Sequence, residues 1–234
     1  MLQLEYLNPT NLWLGCEQNM GKSIPTQKLG RTDLEVSQLG FGTALPELSN
    51  SPLGNEHAGK LLNAVLDAGI NFIDTAPDYG ISEDQIGEFI STRRDEFYLA
   101  TKCGCVGHEW TQGHKWTSEQ LHSNIDESLR RMKTDQVDIL QMHNPTLADV
   151  EHNGLIETLQ EIRASGKTRF IGVSSSSPDL IAFADMQVFD VFQIPYSALE
   201  RRHETMITYA ADRGAGIIIR GGIAQGHNNK DTAA

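Results

Sequence analysis

Apolar positions along the chain switch between two periods. Ala58, Leu61, Leu62, Val65 and Leu66 recur at helical spacing and are closed by Gly69, which predicts a helix over 55–68. The next apolar run, Asn71 to Ile73, is short, follows a glycine and ends on Asp74, which reads as a buried strand. Strand and helix then alternate. Strands are expected over 71–74, 97–102, 137–143, 169–174, 191–195 and 216–220. Helices are expected over 83–92, 118–132, 155–164, 178–184 and 203–213. Ser118 and Ser177 are placed to cap two of them, and Gly166 to stop a third. Upstream, residues 27–36 read as a hairpin around Gly30, and 38–43 as a short strand rich in glycine. Residues 50–52 read as a loop.

Short strands alternating with amphipathic helices define βα units on a parallel sheet, so the fold class is α/β. No Gly-x-Gly-x-x-Gly opens any of the helices, which argues against a doubly wound dinucleotide fold. The regularity fits a (β/α)8 TIM barrel with about seven strands, its last βα unit missing, preceded by a β-hairpin. Residues 24–226 are expected to form this domain. Residues 1–23 follow neither period and read as an N-terminal extension of unknown role, or as a stretch upstream of a start at Met20. Residues 227–234 read as a polar tail.

Composition narrows the partners. The 234 residues carry a formal net charge of -12, which argues against nucleic acid and anionic membranes. Three cysteines are too few for a disulfide framework and suit a reducing compartment. Cys103 and Cys105, followed by His108 and His114, fit no common zinc spacing, so no metal site is assigned. No apolar run approaches the ~20 residues of a membrane helix, and no signal-peptide pattern opens the chain. A cytoplasmic protein is the expectation.

The strand ends carry the chemistry, because a (β/α)8 barrel places its active site at their C-terminal rim. Asp74 ends one strand and Tyr79 follows on its loop. Lys102, His143, Ser174 and Arg220 end later strands, and Gln193 lies within another. Each alone reads as an ordinary polar group of the rim. Together they are more specific, because a buried lysine needs a carboxylate and Asp74 on the neighbouring strand supplies one. An ammonium beside a phenol favours tyrosinate, lowering the pKa and making Tyr79 a better acid. Such an acid can protonate a carbonyl oxygen oriented by His143, while a nicotinamide or flavin supplies hydride. A Schiff-base lyase using Lys102 is a further reading, but it has no need of Asp74 and Tyr79 beside the lysine.

These pieces resemble the aldo-keto reductase family over about residues 26–226. The matching segments are Lys28-Leu29-Gly30-Arg31-Thr32, Gly40-Phe41-Gly42-Thr43, Asp74-Thr75-Ala76-x-x-Tyr79-Gly80 and Ala100-Thr101-Lys102. They continue with Gln141-Met142-His143-x-Pro145, Gly172-Val173-Ser174-Ser175 and Gln193-x-Pro195-Tyr196. The resemblance implies a catalytic tetrad of Asp74, Tyr79, Lys102 and His143, a small carbonyl substrate, and NADPH as the usual cofactor. It implies that Ser174, Ser175 and Gln193 hold the carboxamide and Tyr196 stacks on the ring. Thr43 and Asp74 would border the ribose, and Arg220 and Gly226 would bracket a phosphate loop.

Three departures stand out. Ser175 replaces the usual asparagine, the phosphate loop 221–226 lacks its serine, and the family continues beyond where this sequence stops. A fragment of a longer reductase is therefore expected, with an open edge prone to self-association. The rival to an active reductase is a catalytically impaired relative that binds nucleotide or serves as a regulatory subunit. The loop 104–117, with His108, Trp110, His114 and Trp116, is the expected substrate wall. The sequence does not reach the identity of the aldehyde or ketone.

Overall fold

The computed structural model describes residues 24–44, 54–176 and 178–222. Seven strands pair in parallel and in chain order: β3 (Phe41–Gly42), β4 (Phe72–Asp74), β5 (Tyr98–Cys103), β6 (Val137–His143), β7 (Thr168–Ser174), β8 (Val191–Pro195) and β9 (Gly216–Arg220). They curl into a half-barrel, an incomplete (β/α)8 barrel. Helices α1 (Gly54–Asp67), α2 (Ser82–Phe89), α3 (Ser118–Met132), α4 (Leu147–His152), α5 (Leu155–Ala164), α6 (Leu180–Asp185) and α7 (Glu204–Asp212) fill the connections.

The strand pattern explains two separate cores. Successive side chains on a strand point to opposite faces. Ile73, Leu99, Leu140 and Met142 accordingly join the core beneath the helices, while their neighbours Phe72, Ala100 and Ile139 join a smaller cluster on the concave face. Burial on both faces is why these strands read as nearly continuous apolar runs.

The N-terminal hairpin closes one end of that concave face. Strands β1 (Thr26–Lys28) and β2 (Glu35–Ser37) pair antiparallel, and Leu29, Leu34 and Val36 enter the small cluster. The Arg31 side chain donates to the Phe189 carbonyl and lies 3.5 Å from Asp190, while Asp33 pairs with Arg169 at 2.7 Å. All of these contacts lie at the N-terminal ends of the strands. The opposite rim is left for chemistry.

Several expected boundaries shift for local reasons. Thr117 caps α3, its hydroxyl accepting from the Gln120 N–H at 3.2 Å, and Ser118 is the first helical residue. The helix expected over 83–92 ends at Phe89, and a 3₁₀ segment, Ser91–Glu96, follows. Helix α4 lacked an apolar period long enough to read. It is set by a capping box in which Thr146 and Asp149 satisfy each other's backbone N–H groups. The strand expected over 38–43 pairs only at Phe41–Gly42, and β5 runs one residue past Lys102. The extension 1–23, the loop 50–52, the Ser177 cap and the tail 227–234 lie outside the described residues. Among the described residues, no helix is long and apolar enough to cross a membrane.

Candidate active site

Asp74 ends β4 because register places it beside Gly42 of β3 and Ala100 of β5, at the C-terminal rim. Lys102 stands two residues further along β5 and is wholly buried. Its Nζ donates to Asp74 Oδ2 at 2.8 Å and to the Thr75 carbonyl at 2.8 Å. The other Asp74 oxygen accepts from Gln141 Nε2 at 2.9 Å. A buried ammonium is tolerable only with such partners. Burial favours the neutral amine, but the charge of Asp74 and the phenol of Tyr79 outweigh it and raise the Lys102 pKa.

Tyr79 lies on the loop after β4, and Lys102 Nζ sits 4.7 Å from the centre of its ring. The His143 ring meets it edge-on, with centroids 6.1 Å apart. The expected lowering of the Tyr79 pKa is reversed. Lys102 does pull the Tyr79 pKa down, but burial pushes it up more strongly, helped by the charges of Asp74 and Asp78. The net shift is upward from the ordinary value of 10.0. Tyr79 therefore holds its proton firmly at neutral pH.

A second set of charges holds the Tyr79 loop in place. Arg131 of α3 is buried and pairs with Glu83 at 3.1 Å and Asp84 at 2.9 Å, both on α2. The same guanidinium donates to the carbonyls of Pro77 at 3.4 Å and Gly80 at 2.6 Å, on either side of Tyr79. Glu83 also accepts from Thr101 Oγ1 at 2.7 Å, tying the clamp to β5 next to Lys102. Burial raises the Glu83 pKa even though Arg131 opposes it. Sequence reasoning missed this clamp. The only available signal was an arginine on a helix face among apolar positions, which reads as solvated.

The expected cofactor residues fall into two groups. Thr43 is buried, with its N–H on the Asp74 carbonyl at 2.9 Å and its hydroxyl on Thr75 Oγ1 at 2.9 Å. Ser174 and Gln193 are register partners at the rim, and Ser174 Oγ donates to Gln193 Oε1 at 2.7 Å. The Ser175 N–H donates to the Gln193 carbonyl at 3.1 Å, and that of Tyr196 to the Arg220 carbonyl at 3.2 Å. Arg220 ends β9, and its buried Nε has no hydrogen-bond partner. Gly226 lies outside the described residues.

The loop after β5 folds back on itself, with Cys105 bridged to His114. Several residues of the expected substrate wall pack against neighbours. Trp116 joins the main core and His114 stacks on it at 5.7 Å, while Gly104, at φ +92°, leaves room for the indole. His108 is engaged by Arg131, whose Nη1 donates to His108 Nδ1 at 3.0 Å. Of Trp110, only the backbone is described.

Cys103 and Cys105 do not share a site. Cys103 is sunk in the main core. Cys105 Sγ instead lies 3.5 Å from His143 Nδ1, which is 3.2 Å from Asp78 Oδ2, and His114 Nε2 approaches the same oxygen at 3.9 Å. Burial alone pushes the Asp78 pKa up, but the His143 hydrogen bond and the nearby positive charges hold it below the usual carboxylate value.

An ion-paired lysine beside a phenol and a histidine, at the C-terminal rim of a parallel half-barrel, agrees with the comparison against known proteins. Residues 38–232 match the Aldo/keto reductase family. The chain belongs to that family. Over 87% of its length it is 30% identical to the L-galactose dehydrogenase of Arabidopsis thaliana, and over 88% it is 29% identical to the NADH-specific methylglyoxal reductase of Escherichia coli K12. It superposes on the holo form of the aldo-keto reductase AKR11C1 from Bacillus halodurans with a TM-score of 0.78 and 31% identity, over 87% of this chain and 68% of that one. The chain spans about two thirds of the length of the curated relatives it matches, 66% for the dehydrogenase and 65% for the oxidoreductase YqkF of Bacillus subtilis.

Proposed function

We propose that the chain serves an NAD(P)H-dependent oxidoreductase that reduces an aldehyde or ketone to an alcohol, with Tyr79 as the proton donor. The observation that carries this reading is the wholly buried Lys102, fixed by Asp74 at 2.8 Å and placed 4.7 Å from the Tyr79 ring centre. A nicotinamide, when bound, supplies a hydride to the carbonyl carbon. The carbonyl oxygen then gains negative charge and takes the Tyr79 proton, which leaves a tyrosinate against the Lys102 ammonium. Asp74 and the Thr75 carbonyl hold that ammonium still, and Gln141 fixes Asp74 in turn, so little reorganisation accompanies the transfer. His143 orients the oxygen, and Tyr79 regains its proton from solvent. In alcohol oxidation the same groups run backwards, with the tyrosinate as base.

The rim residues fit a nicotinamide cofactor. With the Ser174 hydroxyl committed to Gln193 Oε1, the Gln193 amide N–H groups are the donors for a carboxamide oxygen. The Ser174 lone pairs are the acceptors for a carboxamide NH₂. The orphaned Nε of Arg220 suits an anionic group beyond β9. Thr43, Ser175, Tyr196 and Gly226 complete the proposed cofactor site. NADPH is the expected cofactor, although a relative is named as NADH-specific. A cytoplasmic setting and self-association through the open sheet edge belong to the same reading.

The direct test is oxidation of NADPH and of NADH with 4-nitrobenzaldehyde. Tyr79→Phe is expected to lower turnover by about 100-fold or more, in the range of one general acid, while cofactor binding persists. Undiminished turnover in that variant would remove Tyr79 from the mechanism.

A further inference from the structure

Four buried or half-buried side chains from two rim loops and one strand end converge at one point: Asp78 after β4, Cys105 and His114 after β5, and His143 at the end of β6. A ligand atom from each lies within 4.8 Å of all the others. His143 Nδ1 lies 3.2 Å from Asp78 Oδ2 and 3.5 Å from Cys105 Sγ, and His114 Nε2 lies 3.9 Å from Asp78 Oδ2. Bond lengths of ~2.0–2.3 Å to zinc imply edges of about 3.3–3.7 Å in a tetrahedron. These distances bracket that range.

Hydrogen bonding leaves the cluster incomplete. Asp78 is 3% exposed, yet its Oδ1 has no partner, and the buried His114 Nε2 makes no hydrogen bond either. Native interiors rarely leave two such atoms side by side. A divalent cation would use the lone pairs that no donor meets. One thiolate, one carboxylate and two neutral imidazoles would balance its double charge, which suits a buried site. The surroundings are built to hold the ligands. Helix α3 grips the Cys105 carbonyl through Gln120 Nε2 at 2.8 Å and Asn124 Nδ2 at 3.1 Å, and Trp116 stacks on the His114 ring.

We propose that Asp78, Cys105, His114 and His143 form a tetrahedral binding site for Zn²⁺ or a similar borderline-soft divalent cation. On binding, the Cys105 thiol proton passes to solvent and the sulfur becomes a thiolate ligand. No electron is transferred. The site pins the loops after β4 and β5 to the end of β6. The site shares His143 with the proposed reductase chemistry. Metal on His143 Nδ1 places the ring proton on Nε2, where it can donate a hydrogen bond to a substrate oxygen while Tyr79 remains the proton donor.

The test is Co²⁺ titration of the chelator-treated 234-residue chain, followed by displacement with Zn²⁺. The expected result is one equivalent bound with tetrahedral d–d bands and a thiolate-to-cobalt charge-transfer band. Cys105→Ser should remove the charge-transfer band. Cys105→Ser and His114→Gln should each weaken Zn²⁺ binding by more than about 100-fold, since even outer-shell partners of a metal site count for ~10–100-fold. Cys103→Ser should keep the band. An octahedral-type spectrum from the unsubstituted chain, or a charge-transfer band that survives Cys105→Ser, would overturn the assignment. Both readouts are independent of turnover, so an inactive chain that binds cobalt in this way still supports the site.

Discussion

The surroundings of Tyr79 set the pH range in which its proton is available. Its neighbours pull in opposite directions, and burial decides the sign, leaving the phenol above its ordinary pKa of 10.0. The pH dependence follows. Reduction needs the protonated phenol, so its rate should stay level through neutral pH and fall only above about 10. Alcohol oxidation needs the tyrosinate, so its rate should climb tenfold per pH unit toward the same limit. Rate profiles in both directions check this, and a reduction rate that halves near pH ~7 would contradict it. That Asp74, Tyr79, Lys102 and His143 gather at one rim was legible from sequence, because each ends or follows a recognisable apolar run. The direction of the Tyr79 shift was not legible, because desolvation depends on packing that no spacing reveals.

At the scale of elements, the clamp between α2 and α3 sets the loop that carries Tyr79. Arg131 is buried against Glu83, and removing one partner of such a pair leaves an uncompensated charge. Arg131→Met is therefore expected to destabilise the fold by roughly 3–5 kcal/mol. The loss should be smaller at about pH 5 than at about pH 8. A carboxyl whose pKa is raised on folding contributes stability at low pH that is lost as pH rises through the folded value. Denaturant melts at the two pH values measure this.

Gly87 of α2 has a related role. A Cβ there would lie 2.0 Å from the Arg131 carbonyl, so Gly87→Ala should force the two helices apart. A lowered melting temperature together with lowered turnover is the expected outcome, and an unchanged melt would contradict it. Helix and strand positions were largely readable, because long amphipathic stretches such as 118–132 repeat their period several times. What escaped was set by single contacts: the Thr117 cap, the six-residue α4, and an arginine that turned inward to meet two acids.

For the molecule as a whole, the hairpin and the rim divide the labour. The hairpin seals the N-terminal end of the half-barrel with Leu34, which is wholly buried. Leu34→Ala should cost about 2–5 kcal/mol with little effect on the rim chemistry per folded molecule. Parallel order and fold class were visible in the alternation of periods. The convergence of Asp78, Cys105, His114 and His143 was not, because residues from two loops and a strand end meet only once the sheet curls. Among the described residues, β3 and β9 each have one strand neighbour, and Ile219 of β9 is 44% exposed. The 234-residue chain alone should therefore bind ANS and self-associate in sedimentation.

The central claim is that an ammonium fixed by a carboxylate lets Tyr79 deliver a proton to a reduced carbonyl. It is tested most directly by the steady-state rate of nicotinamide oxidation with an aldehyde, measured for the unaltered chain and for Tyr79→Phe, with cofactor affinity measured alongside. The account predicts turnover in the first and a loss of about 100-fold or more in the second at equal affinity. Equal rates in the two proteins, or tight cofactor binding with no turnover in the unaltered chain, would contradict it.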